Sequence, residues 1–201
     1  MKALLTISLL VSSTLGIAQS GNLKPGTAAP DFSLKNVTGE TISFATFQNA
    51  RGYIVVFTCN TCPVAKGYEE RIIALNKKYA PLGFPVIAIN PNDPSASPGD
   101  SYAKMVDLAN AHKFDFPYLY DDGQKVTTAY GARNTPHIFL VKHTGDANVV
   151  VYTGAIDNDP EGGRPDRVNY LEQAIGAVMD GKDPAVASTK AIGCSVRWKA
   201  R

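Results

Sequence analysis

Three cysteines in 201 residues are too few for a disulfide scaffold, and the odd count leaves one thiol over. An excess of one charge is lacking too. Twenty Lys and Arg stand against eighteen Asp and Glu, for a formal net charge of +2, and there is no basic run. The electrostatic footprint of a nucleic-acid binder is therefore missing. The chain has no internal repeat and no low-complexity tract. With 44% hydrophobic and 19% charged residues it is globular rather than disordered, collagen-like or coiled-coil. Beyond the first residues, no segment is apolar enough to cross a membrane. The length suits one domain, or two small ones.

What is present begins with a leader. Lys2 supplies a short positive region, and Ala3 to Val11 is an apolar stretch too short to span a bilayer. Gly16-Ile17-Ala18 puts small residues where a signal peptidase cuts. The expectation is a signal peptide over 1–18 and a single domain over 19–201, exported to the periplasm, where disulfides persist. No cysteine follows the apolar stretch, so a lipid anchor there is not available.

Strand and helix signals then alternate. Asp31 to Leu34 and Thr41 to Phe44 read as a hairpin around Thr38-Gly39-Glu40. Tyr53-Ile-Val-Val-Phe57 and Phe84 to Ile89 are continuous apolar runs, suited to strands buried on both faces. Between them Val64, Tyr68, Ile72, Leu75 and Tyr79 form one helical stripe, opened by Pro63 and closed by Pro81 and Gly83. Asp100 is placed to cap a helix over Tyr102 to Ala109. Pro117 to Tyr120 reads as a strand and Val126 to Tyr130 as a short helix ending at Gly131. His137 to Val141 and Val149 to Tyr152 pair across Thr144-Gly145-Asp146, and Asp166 to Asp180 is a last helix. This predicts an α/β chain: a mixed central sheet flanked by helices, with an N-terminal hairpin, parallel crossovers first and an antiparallel edge last.

The chemistry centres on Cys59-Asn60-Thr61-Cys62-Pro63, where a buried strand gives way to a helix. The expected arrangement has Cys59 at the helix N-terminus, where free N–H groups and the dipole favour a thiolate, and Cys62 one turn in. Cys59 would attack a disulfide and Cys62, shielded by Pro63, would resolve the mixed disulfide. Zinc would need two further ligands, and His112, His137, His143 and Cys194 stand in no paired spacing. Thr135-Pro136, just before a buried strand, is placed to face the dithiol and present backbone to a substrate chain.

Strand, Cys-x-x-C-Pro, long helix, strand, and Thr-Pro before a hairpin together resemble the thioredoxin superfamily. Pro25-Gly-Thr-Ala-Ala-Pro-Asp-Phe-Ser-Leu34 resembles the opening of its redoxin, or alkyl-hydroperoxide-reductase/thiol-specific-antioxidant, group. Asn90-Pro-Asn-Asp93, Pro117 to Asp121, Tyr130-Gly-Ala132 and Gly193-Cys-Ser-Val-Arg-Trp-Lys199 resemble its peroxiredoxin-like branch. The resemblance implies a thioredoxin-like fold, a redox-active dithiol at Cys59 and Cys62, and a cis peptide at Pro136. Departures matter as well. Thr58 replaces the usual Trp, and the buried acid behind a thioredoxin dithiol would fall near Tyr53. Aligning the peroxidatic cysteine with Cys62 puts Val55 and Cys59 where a peroxiredoxin has Pro and Thr or Ser, and Arg133 is a poor counterpart of its arginine.

Three functions compete on these residues. The first is an exported thiol–disulfide oxidoreductase using Cys59 and Cys62, with Thr135 and Pro136 shaping the groove. The second is a peroxide-reducing antioxidant with Cys62 attacking and Cys59 resolving. The third is a copper-binding assembly factor using Cys59, Cys62 and His137. The first two need no cofactor. Their partners are protein or small-molecule disulfides and thiols and an electron donor that the sequence does not name. Cys194, in a basic tail expected to be solvated and pinned by Trp198, reads as structural. Lys66, Glu69 and Glu70 read as a solvated helix face, with Lys66 in place to lower the nucleophile's pKa.

Overall fold

The computed structural model describes residues 23–200; the expected leader over 1–18 lies outside them. Strands β1 (Leu34–Asn36) and β2 (Thr41–Ile42) form a hairpin, followed by β3 (Gly52–Phe57), helix α1 (Pro63–Tyr79) and β4 (Val86–Asn90). Next come α2 (Tyr102–His112), β5 (Tyr118–Tyr120), α3 (Lys125–Tyr130) and β6 (Asn134–Thr135). The chain ends with β7 (His137–His143), β8 (Asn148–Gly154), α4 (Tyr170–Met179) and β9 (Cys194–Ser195). Seven strands make one sheet in the order β2-β1-β5-β4-β3-β7-β8, and β6 and β9 pair separately. β3 and β4 are parallel, as are β4 and β5, whereas β3–β7, β7–β8 and β5–β1 are antiparallel. This is the expected mixed sheet, in a thioredoxin-like fold.

Side chains alternate across a strand, so each central strand serves two cores. Ile54, Val56, Val86, Ala88, Ile138 and Leu140 face one side, under Tyr68, Ile72 and Leu75 of α1 and Leu171, Ile175 and Val178 of α4. Tyr53, Val55, Phe57, Ile87, Ile89, Phe139 and Val141 face the other, against Val126 and Tyr130 of α3. Burial on both faces is why these strands are continuous apolar runs. Gly131 stops α3 by entering the left-handed region at φ 65°, where a side chain would be strained.

Three expectations need correction. The hairpin is shifted, because Phe44 opens a 3₁₀ turn instead of ending a strand. Asp100 does not cap α2: Ser101 occupies the N-cap position, and the Asp100 carboxylate turns the other way. The last helix starts at Tyr170, not Asp166. Asn158 accepts from the Val168 N–H at 2.7 Å and donates to the Asp166 carbonyl at 3.4 Å, which takes that backbone out of helical bonding.

The outer edge of β8 is also occupied. Gly26 N donates to Val150 O at 2.8 Å, and Val150 N to Thr27 O at 2.9 Å. Further along, Thr153 N donates to Ala187 O at 3.1 Å, and Thr189 N to Thr153 O at 3.0 Å. Among the described residues, no helix is long and apolar enough to cross a membrane.

Candidate active site

β3 delivers Thr58 to the end of the sheet, where its N–H still bonds to Ile89 O at 2.9 Å. Cys59 follows, 4% exposed, and only Asn60 and Thr61 separate it from the helix cap. The N-cap of α1 is Cys62, 3% exposed, with Pro63 as the first helical residue. The position expected for Cys59 therefore belongs to Cys62. The reason is local: Pro63 fits the first turn of a helix, which fixes the cap one residue earlier.

The two sulfurs have different surroundings. Cys62 Sγ accepts from Ala65 N at 3.5 Å and from Cys194 N at 3.4 Å, and its own thiol faces Thr135 O at 3.1 Å. Burial pushes its pKa up, but a hydrogen bond from the Cys194 thiol, the two amides and Thr135 outweigh burial and hold it below the ordinary thiol value. Cys59 Sγ lies 3.2 Å from Thr135 Oγ1. Burial pushes the Cys59 thiol up, and the charge of Asp100 adds to this despite bonds from Thr135 and the Cys62 and Thr61 amides. The Cys194 thiol is pushed up to about 11, first by its bond to Cys62 and then by burial.

Thr135 thus touches both cysteines, and the Thr135–Pro136 peptide is cis, as the resemblance implied. His137 is not brought to the dithiol. Its Nε2 pairs with Thr153 Oγ1 at 3.0 Å, and burial lowers its pKa to about 4. Among the described residues, no group of three His, Cys, Asp or Glu is arranged to hold a metal, so the copper set Cys59, Cys62 and His137 is not assembled. Lys66 is exposed; its charge acts on Glu69 and is not a cause of either dithiol shift.

Two acids near the dithiol escape sequence reasoning. Asp100, fully buried, accepts from Asn60 N at 2.7 Å, Thr61 Oγ1 at 2.7 Å, Ser97 Oγ at 2.6 Å and Asn92 Nδ2 at 2.8 Å. It grips the loop between the two cysteines, and Tyr118 Oη steadies Asn60 from below at 2.8 Å. A lone Asp before a helix carries the signal of a cap, and nothing local distinguishes this long-range role. Glu69 does not sit on the solvated face expected of it. It instead lines a cavity behind Cys59 with Phe114, Phe116 and Tyr118, and faces His112. Burial raises its pKa, with His112 opposing.

The tail is also not free. Cys194 pairs with Thr135 and Ser195 with Asn134, joining β9 to β6. Trp198 is 46% exposed and belongs to neither core. Backbone bonds hold the tail instead: Val196 N to Arg133 O at 2.9 Å, Arg197 N to Asn92 Oδ1 at 2.9 Å, and Lys199 N to Gln124 Oε1 at 2.9 Å.

A family model described as AhpC/TSA matches residues 25–152. The chain belongs to the AhpC/TSA family. A protein of Sinorhizobium meliloti 1021 is 34% identical, with TM-score 0.82 over 91% of this chain and 99% of that one. A conserved protein of Geobacillus kaustophilus is 31% identical, with TM-score 0.82 over 93% of this chain and all of that one, 100%. A Mycobacterium tuberculosis protein named as a peroxiredoxin is 24% identical over 146 residues, 71% of this chain and 84% of its own length. AhpC/TSA membership carries thiol-based redox chemistry in general terms, and the particular reaction must come from the sulfurs of this chain.

Proposed function

We propose that the protein is a thiol–disulfide oxidoreductase in which Cys62 attacks and Cys59 is the paired thiol of the dithiol. The observation that carries this is the convergence on Cys62 Sγ of the Ala65 and Cys194 amides at the start of α1. A thiolate is the attacking species, and this is the thiol whose pKa is lowered. Cys62 S⁻ attacks a substrate disulfide, forming a mixed disulfide and releasing one thiolate. Cys59 then attacks the Cys62 sulfur, closing the Cys59–Cys62 disulfide and releasing the second thiol, which takes the Cys59 proton. An electron donor reopens the pair. The leader-like residues 1–18 support an exported, periplasmic setting for this exchange.

The peroxide-reducing reading uses the same attacking sulfur. It is favoured by the place of Cys62 at the first helical turn and by the peroxiredoxin name of a relative. Against it, the partners of Cys62 are amides, a thiol and Thr135, not the guanidinium that polarises a peroxide bond. The test is reduction of hydroxyethyl disulfide by reduced protein, with hydrogen peroxide in parallel. Cys62→Ser should abolish disulfide reduction, and Cys59→Ser/Cys194→Ser, which keeps no second thiol, should leave an adduct on Cys62. Full activity in Cys62→Ser would refute the assignment, and peroxide consumption well above that of a free thiol would favour the second reading.

A further inference from the structure

An extended chain docking beside a cis-proline dithiol would pair with the free backbone of the residue before the proline and present its cysteine to the attacking sulfur. That place is already taken. Thr135 is the residue before the cis peptide, and its strand partner is Cys194 of the same chain. Asn134 Nδ2 reinforces the pairing by donating to Gly193 O at 3.0 Å. Gly193 is required there, because a Cβ would collide with the Thr135 carbonyl. The segment is anchored on both sides of the site. Upstream, Thr189 N bonds to Thr153 O at 3.0 Å, and Thr189 Oγ1 accepts from Ala155 N at 3.0 Å. Downstream, Asp93 N bonds to Arg197 O at 2.9 Å and Gln124 Nε2 to the same oxygen at 3.0 Å.

The strand also delivers sulfur. Cys194 N lies 3.4 Å from Cys62 Sγ, and the Cys194 side chain packs against the cluster of Cys59, Cys62 and Ala65. Only three bonds separate the Cys194 nitrogen from its own Sγ, so a side-chain rotation spans what remains. Cys59, by contrast, has its side-chain bond to Thr135 Oγ1. Of the three cysteines, Cys194 is the half-buried one and the other two are buried.

We propose that the segment around Cys194 is a built-in substrate strand, and that Cys194 is a third redox-active thiol forming a disulfide with Cys62. The inference rests on the reading of Cys62 as the attacking sulfur. Cys62 S⁻ opens a small disulfide RSSR, giving Cys62–S–S–R and RS⁻. The Cys194 sulfur attacks Cys62, forming the Cys62–Cys194 bond and expelling RS⁻, which takes the Cys194 proton. Two protein thiols are oxidised and one disulfide is reduced to two thiols. Cys59 then attacks Cys62, expelling Cys194 with the Cys59 proton, so the oxidation moves to the buried pair. With the strand in place the site accepts small disulfides, and an extended protein substrate must first displace it.

Full-length reduced Cys59→Ser protein, treated with one equivalent of hydroxyethyl disulfide and mapped by peptide mass spectrometry, tests the first half. The expected product is an intramolecular Cys62–Cys194 disulfide, with the hydroxyethyl adduct on Cys62 appearing only in the Cys59→Ser/Cys194→Ser double variant. An adduct stable on Cys62 while Cys194 stays reduced would overturn the proposal and leave Cys62 as the attacking thiol. No adduct on Cys62 in either protein would instead sink the underlying function. For the second half, Gly193→Ala should raise insulin reduction relative to hydroxyethyl disulfide reduction about tenfold, the size expected from loosening one or two hydrogen bonds. An unchanged ratio in folded Gly193→Ala protein would show that the strand blocks nothing.

Discussion

Asp100 offers the sharpest test of how the dithiol loop is held. Its carboxylate is fully buried and accepts from Asn60 N, Thr61 Oγ1, Ser97 Oγ and Asn92 Nδ2 at 2.6 to 2.8 Å. In Asp100→Ala the two hydroxyls have recourse, since Thr61 is exposed and lies 3.3 Å from Ser97. Asn60 N and Asn92 Nδ2 do not, and each is left as a buried donor. Leaving such a donor unmade costs about 1–3 kcal/mol, so the pair should cost roughly 4 kcal/mol. Asp100→Asn keeps the shape but turns an amide NH₂ toward donors, and should cost roughly 2 kcal/mol. Urea unfolding of the reduced proteins measures both, as a shift of midpoint at constant slope. A second readout separates charge from packing. Burial is the main reason the Cys59 thiol is raised, and the Asp100 charge is a further one. Asp100→Asn should therefore lower the Cys59 pKa without bringing down the burial contribution, as read by thiolate absorbance in a Cys62→Ser/Cys194→Ser background. An Asp100→Ala penalty below about 1 kcal/mol would refute the hub, because no two buried donors could then be unpartnered.

Acid sensitivity should trace to His137, whose folded pKa is about 4 against 6.5 for the free ring. The unfolded chain takes up a proton that the folded one refuses between those values, so stability is full above 6.5 and falls by about 3 kcal/mol as pH drops to 4. Urea midpoints measured across that window should fall, and His137→Gln should flatten the slope. Cys194→Ala removes the thiol that bonds to Cys62 Sγ, so the Cys62 thiolate should appear at higher pH, measured by ultraviolet absorbance in a Cys59→Ser background; an unmoved titration would show the Cys194 thiol to be no donor. Asp157, buried, accepts from Tyr68 Oη at 2.7 Å and Arg71 Nη1 at 2.8 Å. Asp157→Ala should cost about 3 kcal/mol in thermal or urea unfolding, and Tyr68→Phe, which leaves the Arg71 pair intact, about 1 kcal/mol.

Much of the frame was legible because burial writes periodicity into sequence. α1 announced itself through Val64 to Tyr79 with Pro63 and Pro81 as bounds, and β3 and β4 through uninterrupted apolar runs. The candidate site was legible as a set of residues, Cys59, Cys62, Thr135 and Pro136, and not as an arrangement. One residue of helix phase moved the cap from Cys59 to Cys62, and only Pro63 carried that information. β6 and β9 are two residues each and pair across 59 residues of chain or more, too short for any local pattern. Asp100 holds Asn60 and Thr61 from 40 and 39 residues away, and Glu69 faces His112 from a helix beyond the next strand, so their roles depend on topology that no window contains. The clue nearest to hand was Gly193, a residue without a side chain directly before a cysteine.

The outer border of β8 has one more consequence. A long border strand with free N–H and C=O groups is a template on which a second chain can grow. Here residues 26–29 cover its first half, and residues 187–189 cover its far end. The same tail that reaches the sulfurs therefore also seals the sheet. Loss of the C-terminal segment would uncover Thr153 and its neighbours, and the first sign of that damage should be fibre or aggregate growth in a chain whose cores are otherwise intact.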